Sequence, residues 1–245
     1  MVAHALSVRN ASIRFGGIHA LKDVSLHVAD GTRVGLIGPN GAGKTTLINC
    51  IAGGLAPDSG EVDLFGKSIS RLSAPARASR GIGRTFQNLE LFDSMSVLDN
   101  VMTALDRPLR RGGRAATRQR RDRARSAMAT FGIEQYASVP AGSLPYGVRK
   151  LVELSRAFVR EPRFMLLDEP VAGLSETETF LGVLVDGLDR LGCGVLLIEH
   201  DMPTVRELCE RVYVLDTGAV IAEGPFAEVA TDPRVVAAYL GADAV

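Results

Sequence analysis

Residues 38–46 read Gly-Pro-Asn-Gly-Ala-Gly-Lys-Thr-Thr, and this stretch decides the fold. It satisfies the template G-x-x-x-x-G-K-[ST], in which glycines, a lysine and a hydroxyl residue recur at fixed positions. The residues at those positions are Gly38, Gly43, Lys44 and Thr45. Apolar residues 34–37 predict a buried strand before the template, and residues 46–48 predict the first turn of a helix after it. Strand, glycine-rich turn and helix are the context in which this template binds phosphate.

The chemistry of the template favours a nucleoside triphosphate. Glycines allow the backbone to approach phosphate oxygens, and backbone N–H groups at the start of a helix attract anions. Lys44 can reach the β- and γ-phosphates, and the Thr45 hydroxyl can bind Mg²⁺. The candidate nucleotide-binding residues of this loop are Gly38, Pro39, Asn40, Gly41, Ala42, Gly43, Lys44, Thr45 and Thr46. The alternative is a glycine-rich turn that binds nothing, and the flanking strand and helix argue against it.

The composition excludes several classes of protein. In 245 residues the basic and acidic side chains balance at 28 each, so no overall charge points to nucleic acid. No apolar stretch reaches the roughly 20 residues that a bilayer-spanning helix needs. The N-terminus lacks the basic and then apolar order of a secretory signal, so we expect a cytoplasmic chain. The cysteines Cys50, Cys193 and Cys209 are odd in number and widely spaced, which predicts buried thiols.

The order of predicted elements indicates an α/β fold. Two mixed strands over residues 5–13 and 21–28 open the chain, and shorter strands follow at 61–64 and 81–86. Apolar runs at 164–167 and 194–198 alternate with helices at 175–191 and 203–209, which is typical of a parallel sheet. We expect edge strands at 212–215 and 219–222.

Between these halves the chain is predicted to be helical. The helices fall at 96–105, where Ser96 could act as the N-cap, and at 114–131 and 146–160. This stretch predicts a helical subdomain inserted into the α/β core. It also holds an arginine-rich segment, which indicates either a solvated helix with a flexible loop or a surface that attracts anionic lipid. Those arginines are Arg107, Arg110, Arg111, Arg114, Arg118, Arg120, Arg121, Arg123 and Arg125.

A second group of residues fits the hydrolysis of the bound triphosphate. Asp168 and Glu169 follow a buried strand, at the end where open α/β sheets place ligands. We expect the Asp168 carboxylate to hold the Mg²⁺. We expect Glu169 to accept a proton from the attacking water. His200 follows the next apolar strand and could bond the γ-phosphate, although a lone histidine is as often structural. Gln87 follows the strand at 81–86, where its side chain could reach the metal or the water.

These motifs together resemble the ATP-binding cassette family, the ATPase subunits of ABC transporters, over nearly the whole chain. The resemblance implies a P-loop NTPase (RecA-like) core with an N-terminal antiparallel β subdomain and an inserted α-helical subdomain. It divides the single domain 1–245 into a nucleotide-binding core, about 1–87 and 161–245, and a helical part, about 88–160. It also makes Phe15 the residue that stacks on adenine, at a position otherwise expected in the core.

In this family two subunits pair head to tail, and each ATP lies between one phosphate loop and a segment of the other subunit. That segment, usually Leu-Ser-Gly-Gly-Gln, matches Leu144, Pro145, Tyr146, Gly147 and Val148. Pro145 removes a hydroxyl and an N–H, and Val148 cannot donate a side-chain hydrogen bond, which predicts a weaker ATP-dependent interface. Residues 172–175 match the loop that contacts the opposite subunit, with Ser175 where an acidic residue or Asn is usual.

Finer similarities point to the importers of branched-chain amino acids. They are the segments 83–88, 91–92, 96–97, 144–147, 198–202 and 238–241. The resemblance implies an ATPase at the cytoplasmic face of the inner membrane, with permease subunits docked near Gln87 and the helical part. Urea and lipopolysaccharide transporters have similar ATPases, so they remain alternatives. A soluble ATPase acting on nucleic acid or the ribosome is a further alternative, disfavoured by the single cassette and the balanced charge.

Overall fold

The computed structural model describes residues 4–105, 113–174 and 177–242. Ser175 and the arginines Arg107, Arg110 and Arg111 lie outside these ranges. In chain order the elements are β1 (His4–Phe15), β2 (Ile18–Ala29), β3 (Arg33–Ile37), α1 (Lys44–Ala52), β4 (Ser59–Leu64), β5 (Lys67–Ser68), α2 (Ala74–Ser79), β6 (Ile82–Arg84), α3 (Val97–Thr103), α4 (Arg114–Thr130), α5 (Tyr146–Phe158), β7 (Phe164–Asp168), α6 (Thr177–Leu191), β8 (Gly194–Ile198), α7 (Met202–Leu208), β9 (Arg211–Asp216), β10 (Ala219–Gly224), α8 (Phe226–Val229) and α9 (Pro233–Ala242).

The chain forms two compact units. Unit 1 comprises the described residues within Met1–Ile82, Arg163–Glu169 and Cys193–Val245, and unit 2 those within Gly83–Pro162 and Pro170–Gly192. Within the described ranges, each helix is too short or too polar to span a bilayer.

Unit 1 contains an antiparallel sheet with the strand order β2-β1-β4-β5. Its strands alternate buried and exposed side chains, because one face packs on the core and the other meets solvent. The strands predicted over residues 5–13 and 21–28 are confirmed, and so is the antiparallel β subdomain that the family resemblance implied.

A second sheet has the strand order β10-β9-β3-β8-β7-β6. β3, β7, β8 and β9 run parallel, as the alternation of strands and helices predicted. Every residue of β7 and β8 is buried, which fits the apolar sequences of residues 164–167 and 194–198, and Asp168 is the one charged residue of the two strands. The prediction that β9 is an edge strand was wrong, because β9 lies between β3 and β10. Its four central residues are buried, as a strand inside a sheet requires.

Unit 2 is built from α3, α4, α5 and α6. The Ser96 hydroxyl accepts a hydrogen bond from the Asp99 N–H at 3.1 Å, so the predicted N-cap is confirmed. The rings of Phe131 and Phe158 meet edge to face, with centroids 4.9 Å apart. α6 approaches them at Gly187, where a Cβ would lie 3.0 Å from the Phe131 ring. A small residue is therefore required at that contact.

The arginines of α4 lie mainly on its exposed surface. Ala124 and Met128 are its buried residues, and Arg123 donates to the Val159 carbonyl at 3.0 Å. The exposed arginines are Arg114, Arg118, Arg121, Arg123 and Arg125. Both interpretations of the arginine-rich segment, a solvated face and an attraction to lipid, require this exposure.

The three cysteines are free and buried, as predicted. Burial raises the pKa of Cys50 and Cys193 to about 11 and that of Cys209 to about 12. Thiols that stay protonated at neutral pH are poor nucleophiles and poor metal ligands.

Arg77 on α2 is almost fully buried, and it caps the C-terminus of α1. Its guanidinium donates to the carbonyls of Cys50 and Ile51 at 2.5 and 2.7 Å. It also donates to those of Leu72 and Ser70, both at 2.9 Å. An α-helix leaves its last carbonyls without partners inside the helix, so this side chain substitutes for the missing donors.

We predict that Arg77→Met lowers the free energy of unfolding by about 2–4 kcal/mol, because four hydrogen bonds are lost, two of them buried bonds to the carbonyls of Cys50 and Ile51. Urea denaturation followed by circular dichroism measures the change. Arg80→Met, at an exposed position just after α2, is the matched control and should change it by less than about 0.5 kcal/mol. Equal effects of the two substitutions would contradict the capping role of Arg77.

Candidate functional site

The candidate site of unit 1 arises from the register of three parallel strands. Ile198 at the end of β8 pairs with Leu36 of β3 on one side and with Asp168 of β7 on the other. Because carboxyl ends of parallel strands share one edge of the sheet, the residues that follow these strands must meet there. Gly38 directly follows β3, Glu169 directly follows β7, and His200 comes two residues after β8, so residues far apart in sequence are brought together.

The loop at residues 38–46 joins β3 to α1, as its sequence predicted. Gly38 has a φ of 146°, and a Cβ there would lie 2.0 Å from the Leu215 carbonyl oxygen. Gly43, the N-cap of α1, has a φ of 105°, and its Cβ would lie 2.4 Å from the Ala20 carbonyl oxygen. Both positions therefore require glycine, for backbone conformation and for space.

The side chain of Lys44 folds back over this loop. Its Nζ donates hydrogen bonds to the carbonyls of Gly38 at 2.6 Å and Pro39 at 2.9 Å. Burial lowers the pKa of Lys44, and the charges of Glu169 and Asp168 oppose that shift. The ammonium group is thus held within the loop by oxygen acceptors, with both carboxylates close enough to influence it.

The two acids at the end of β7 differ in their surroundings. Asp168 is 2% exposed. Glu169 has a φ of 49°, which is uncommon for a residue with a side chain, and its N–H donates to the Ile198 carbonyl at 2.9 Å. This conformation turns the chain at the edge of the sheet and leaves the Glu169 side chain one-fifth exposed.

His200 lies beside Glu169. Its Nδ1 is 3.9 Å from Glu169 Oε1 and 3.8 Å from Glu199 Oε2. Glu199 is completely buried and accepts the backbone N–H of His200 at 3.0 Å. Asp201 then caps α7 by accepting the Thr204 N–H at 2.9 Å, and its hydrogen bonds with Thr204 lower the pKa of Asp201. The backbone under the imidazole is therefore fixed on both sides, although the ring is mostly exposed.

Phe15 ends β1 at the hairpin to β2, and its side chain is about half exposed (52%). Its partner across the hairpin, Ile18, is more exposed still. The structure thus places Phe15 outside the core, where its ring is available for stacking.

Unit 2 contains the segment Leu144, Pro145, Tyr146, Gly147 and Val148 at the start of α5. Pro145 is the N-cap, and the first intrahelical hydrogen bond runs from the Arg149 N–H to its carbonyl at 3.0 Å. The N–H groups of Tyr146, Gly147 and Val148 precede that bond, so this end of the helix is suited to an anion. The Tyr146 ring closely approaches Gly173, in the loop at residues 172–174.

Gln87 also belongs to unit 2, in the irregular segment after β6, and its side chain is exposed. Unit 1 therefore unites Lys44, Asp168, Glu169 and His200, whereas Gln87 and the segment 144–148 share unit 2. No group of three or more His, Cys, Asp or Glu side chains in the described ranges could hold a metal ion by itself.

Sequence reasoning missed two buried acids. Glu199 holds the backbone of His200, and Glu153 on α5 is 3% exposed and accepts the Phe86 N–H at 2.9 Å. A signal existed for both, because each glutamate adjoins apolar residues in a buried strand or helix. Acids are almost never fully buried without a partner, so such a position indicates a specific contact.

Comparison with known proteins finds relatives that are similar over most of the chain. The high-affinity branched-chain amino acid transport ATP-binding protein LivG of Salmonella typhimurium is 36% identical over 96% of this chain and 97% of its own. The lipopolysaccharide export system ATP-binding protein LptB of Escherichia coli is 38% identical over 97% and 98%. A dimeric ATP-binding cassette bound to ADP and Pi, in a post-hydrolysis state, superposes with a TM-score of 0.78 at 27% identity, covering 90% and 98%.

Two family models also match. Residues 219–245 match the model of the branched-chain amino acid ATP-binding cassette transporter. Residues 21–172 match the ABC transporter model, and this range contains the phosphate loop, Gln87, the segment 144–148 and both acids after β7. With that match and the whole-length similarity to LivG, the chain belongs to the ABC transporter family and is one of its nucleotide-binding ATPase subunits.

Proposed function

We propose that this ATPase powers the import of branched-chain amino acids, or of a related small polar solute, through membrane permease subunits. The observation that carries the ATPase chemistry is the convergence of Lys44, Asp168, Glu169 and His200 at one edge of the parallel sheet. The choice of cargo rests on the C-terminal match at residues 219–245 and on the similarity to LivG.

In the proposed reaction Glu169 removes a proton from a water molecule, whose oxygen attacks the γ-phosphorus of ATP. The bond from that phosphorus to the β–γ bridging oxygen breaks, and ADP and phosphate leave. Lys44 exchanges its loop carbonyls for the β- and γ-phosphates, because phosphate oxygens are stronger acceptors for an ammonium group. His200 bonds the γ-phosphate and keeps the water in line with Glu169. Positioning and charge stabilisation supply most of the acceleration in phosphoryl transfer.

Mg²⁺ fits the available donors. In nucleotide sites this ion takes one or two carboxylates, together with water and substrate phosphates, so a cluster of protein ligands is not needed. The Thr45 hydroxyl and the Asp168 carboxylate of unit 1 would hold the ion, and the family resemblance adds the Gln87 amide oxygen as a further ligand. The ion would neutralise charge on the phosphates.

The remaining contacts to ATP involve the base and the loop. The exposed Phe15 ring stacks on adenine, and the loop residues 38–46 surround the phosphates with N–H groups. The trans residues Leu144, Pro145, Tyr146 and Gly147 of a second ATPase subunit complete the site in a head-to-tail dimer. The free N–H groups at the start of α5 support this role, since a helix N-terminus binds anions. The second subunit is a further copy of this chain or a paralogue.

The domain organisation that we propose is the one that the family resemblance implies. One ATPase domain, 1–245, has a nucleotide-binding core at about 1–87 and 161–245 and a helical subdomain at about 88–160. The compact units divide the chain differently, because Gln87 and residues 170–192 belong to unit 2. Permease subunits dock near Gln87 and the helical subdomain, which locates the chain at the cytoplasmic face of the inner membrane. Nucleic acid has no part in this function.

A second cargo is supported by one observation. The sequence identity to LptB is 38% and that to LivG is 36%, so lipopolysaccharide export is the alternative function. Both cargoes use the same ATPase chemistry.

We predict that Glu169→Gln lowers the turnover of ATP by about 10²- to 10⁴-fold, because the amide cannot accept the proton of the attacking water. The variant should still bind ATP and accumulate as an ATP-bound dimer. Phosphate release and size-exclusion chromatography measure the two effects.

Lys44→Ala is the control for nucleotide binding, and we expect its ATP affinity to fall by about 10- to 100-fold, the worth of one charge-assisted hydrogen bond. Lys67→Ala, at an exposed strand position, should bind ATP normally. Rapid turnover by Glu169→Gln would refute the assignment of Glu169 as the base.

We predict that Val148→Gln strengthens ATP-induced dimerisation by about 2- to 10-fold for each ATP site, because the amide restores one hydrogen bond. Sedimentation velocity with ATP in the Glu169→Gln background measures the dimer constant. Val236→Gln, an exposed valine on α9, is the control. An unchanged constant for Val148→Gln would show that the side chain at 148 does not contribute to the interface.

We predict that membrane vesicles containing this chain and the permeases that purify with it accumulate leucine when ATP is enclosed on the ATPase side. Vesicles with Lys44→Ala should not accumulate it. ATP-dependent release of lipopolysaccharide, without leucine uptake, would favour the alternative cargo.

A further inference from the structure

The irregular segment at residues 86–93, which contains Gln87, is held by side chains rather than by regular secondary structure. It lies between β6 and α3, and it has neither helix nor strand bonds of its own. Side chains of α3 and α5 in the same unit contact it, the Gly142 N–H donates to the Asp93 carbonyl at 2.9 Å, and the Arg84 guanidinium lies 4.8 Å from the centroid of the Phe86 ring. Such a segment would be mobile if those side chains were absent, because few other bonds restrain its backbone.

α5 holds the segment with one row of charged side chains. Arg149, Glu153 and Arg156 are spaced by four and three residues, so they lie on one face of the helix. The Arg149 guanidinium pairs with the Asp93 carboxylate at 2.6 Å. The Arg156 guanidinium donates to the Glu90 carbonyl. Glu153, between them, accepts the Phe86 N–H.

Glu153 is the most buried of these three side chains. Its side chain is buried, and burial raises the pKa of Glu153, while the Phe86 N–H and the charges of Lys150 and Arg156 lower it. Burying a carboxylate is costly unless it accepts hydrogen bonds, so a specific contact offsets that cost here. The residue it holds directly precedes Gln87.

α3 fixes the other end of the segment through Asn100, which is fully buried. Its Oδ1 accepts the Phe92 N–H at 2.9 Å, and its Nδ2 donates to the Phe92 carbonyl at 3.0 Å. The side-chain amide therefore pairs with Phe92 as a neighbouring strand would. Both ends of the segment are anchored, one on α5 and one on α3.

We propose that Glu153 is a positioning residue for Gln87, and that its bond to Phe86 makes the segment 86–93 and α5 one rigid body. α5 begins at the segment 144–148, so Gln87 and those trans residues move together. This inference rests on the proposed function for the roles of Gln87 and the trans residues.

Two measurements on the full-length chain test the proposal. Spin labels at Asn88→Cys and Ser126→Cys, both exposed in unit 2, report the distance between the segment and α4. The native thiols are buried and react poorly with the label. In parallel, steady-state kinetics of the unlabelled chain give kcat and KM for MgATP.

We expect Glu153→Met to broaden the distance distribution and to lower kcat by about 10- to 100-fold, the cost of a small misplacement near the reacting atoms. KM for ATP should stay unchanged, because the phosphate loop is untouched. Glu153→Gln keeps an oxygen acceptor for the Phe86 N–H, so both its distribution and its kcat should match the wild type. Glu134→Met, an exposed glutamate in the same unit, is the matched control.

An unchanged distribution or an unchanged kcat in Glu153→Met would overturn the proposal, as would a Glu153→Gln variant that behaves like Glu153→Met. If Glu153→Met does not fold, Arg156→Met removes the neighbouring contact and is judged by the same two readouts. Failure of the proposed function is distinguishable, since it would appear as vesicles in which the wild-type chain hydrolyses ATP without uptake of leucine. Failure of this inference alone would leave wild-type hydrolysis normal.

Discussion

The parallel pairing of β3, β8 and β7 is the constraint on which the unit 1 site depends. Ile198 is paired with Leu36 on one side and with Asp168 on the other, so three chain segments leave the sheet at the same edge. A shift of one residue in this register would turn Asp168 to the other face of the sheet and separate it from Lys44. The complete burial of β7 and β8 fixes the register, because a shift would also disturb the packing on both faces.

The backbone at that edge of the sheet adopts conformations that cost free energy, and the surrounding structure must stabilise them. Gly38 and Gly43 have backbone conformations and neighbours that leave no room for a side chain. Glu169 adopts the left-handed backbone region although it has a side chain. Strain of this kind is found where position matters for function. Here it turns the chain sharply after β7 and presents Glu169 beside His200, while Glu199 fixes the backbone below the imidazole.

The two units use different means to hold their functional segments. In unit 1, backbone pairing within a sheet positions the acids and the phosphate loop. In unit 2, buried polar side chains hold an irregular loop, with Glu153 bonded to Phe86 and Asn100 to Phe92. Buried polar groups specify one conformation when their hydrogen bonds are satisfied, and these bonds hold the loop on the helices.

Much of this protein was determined by its sequence alone. The phosphate loop, the parallel α/β core and the Ser96 cap could be predicted, because glycine patterns, apolar runs and capping residues act locally. The combined motifs indicated the family, and the resemblance to it implied the antiparallel sheet. The sequence did not reveal that β9 lies inside the sheet or that Arg77 caps α1. Nor did it reveal that Glu199 and Glu153 hold backbone groups next to His200 and Gln87. Those features emerged only with the tertiary structure, because the partners of β9, Arg77 and Glu153 are distant in sequence. The apolar neighbours of Glu199 and Glu153 indicate burial, but they do not identify the backbone group that each glutamate holds.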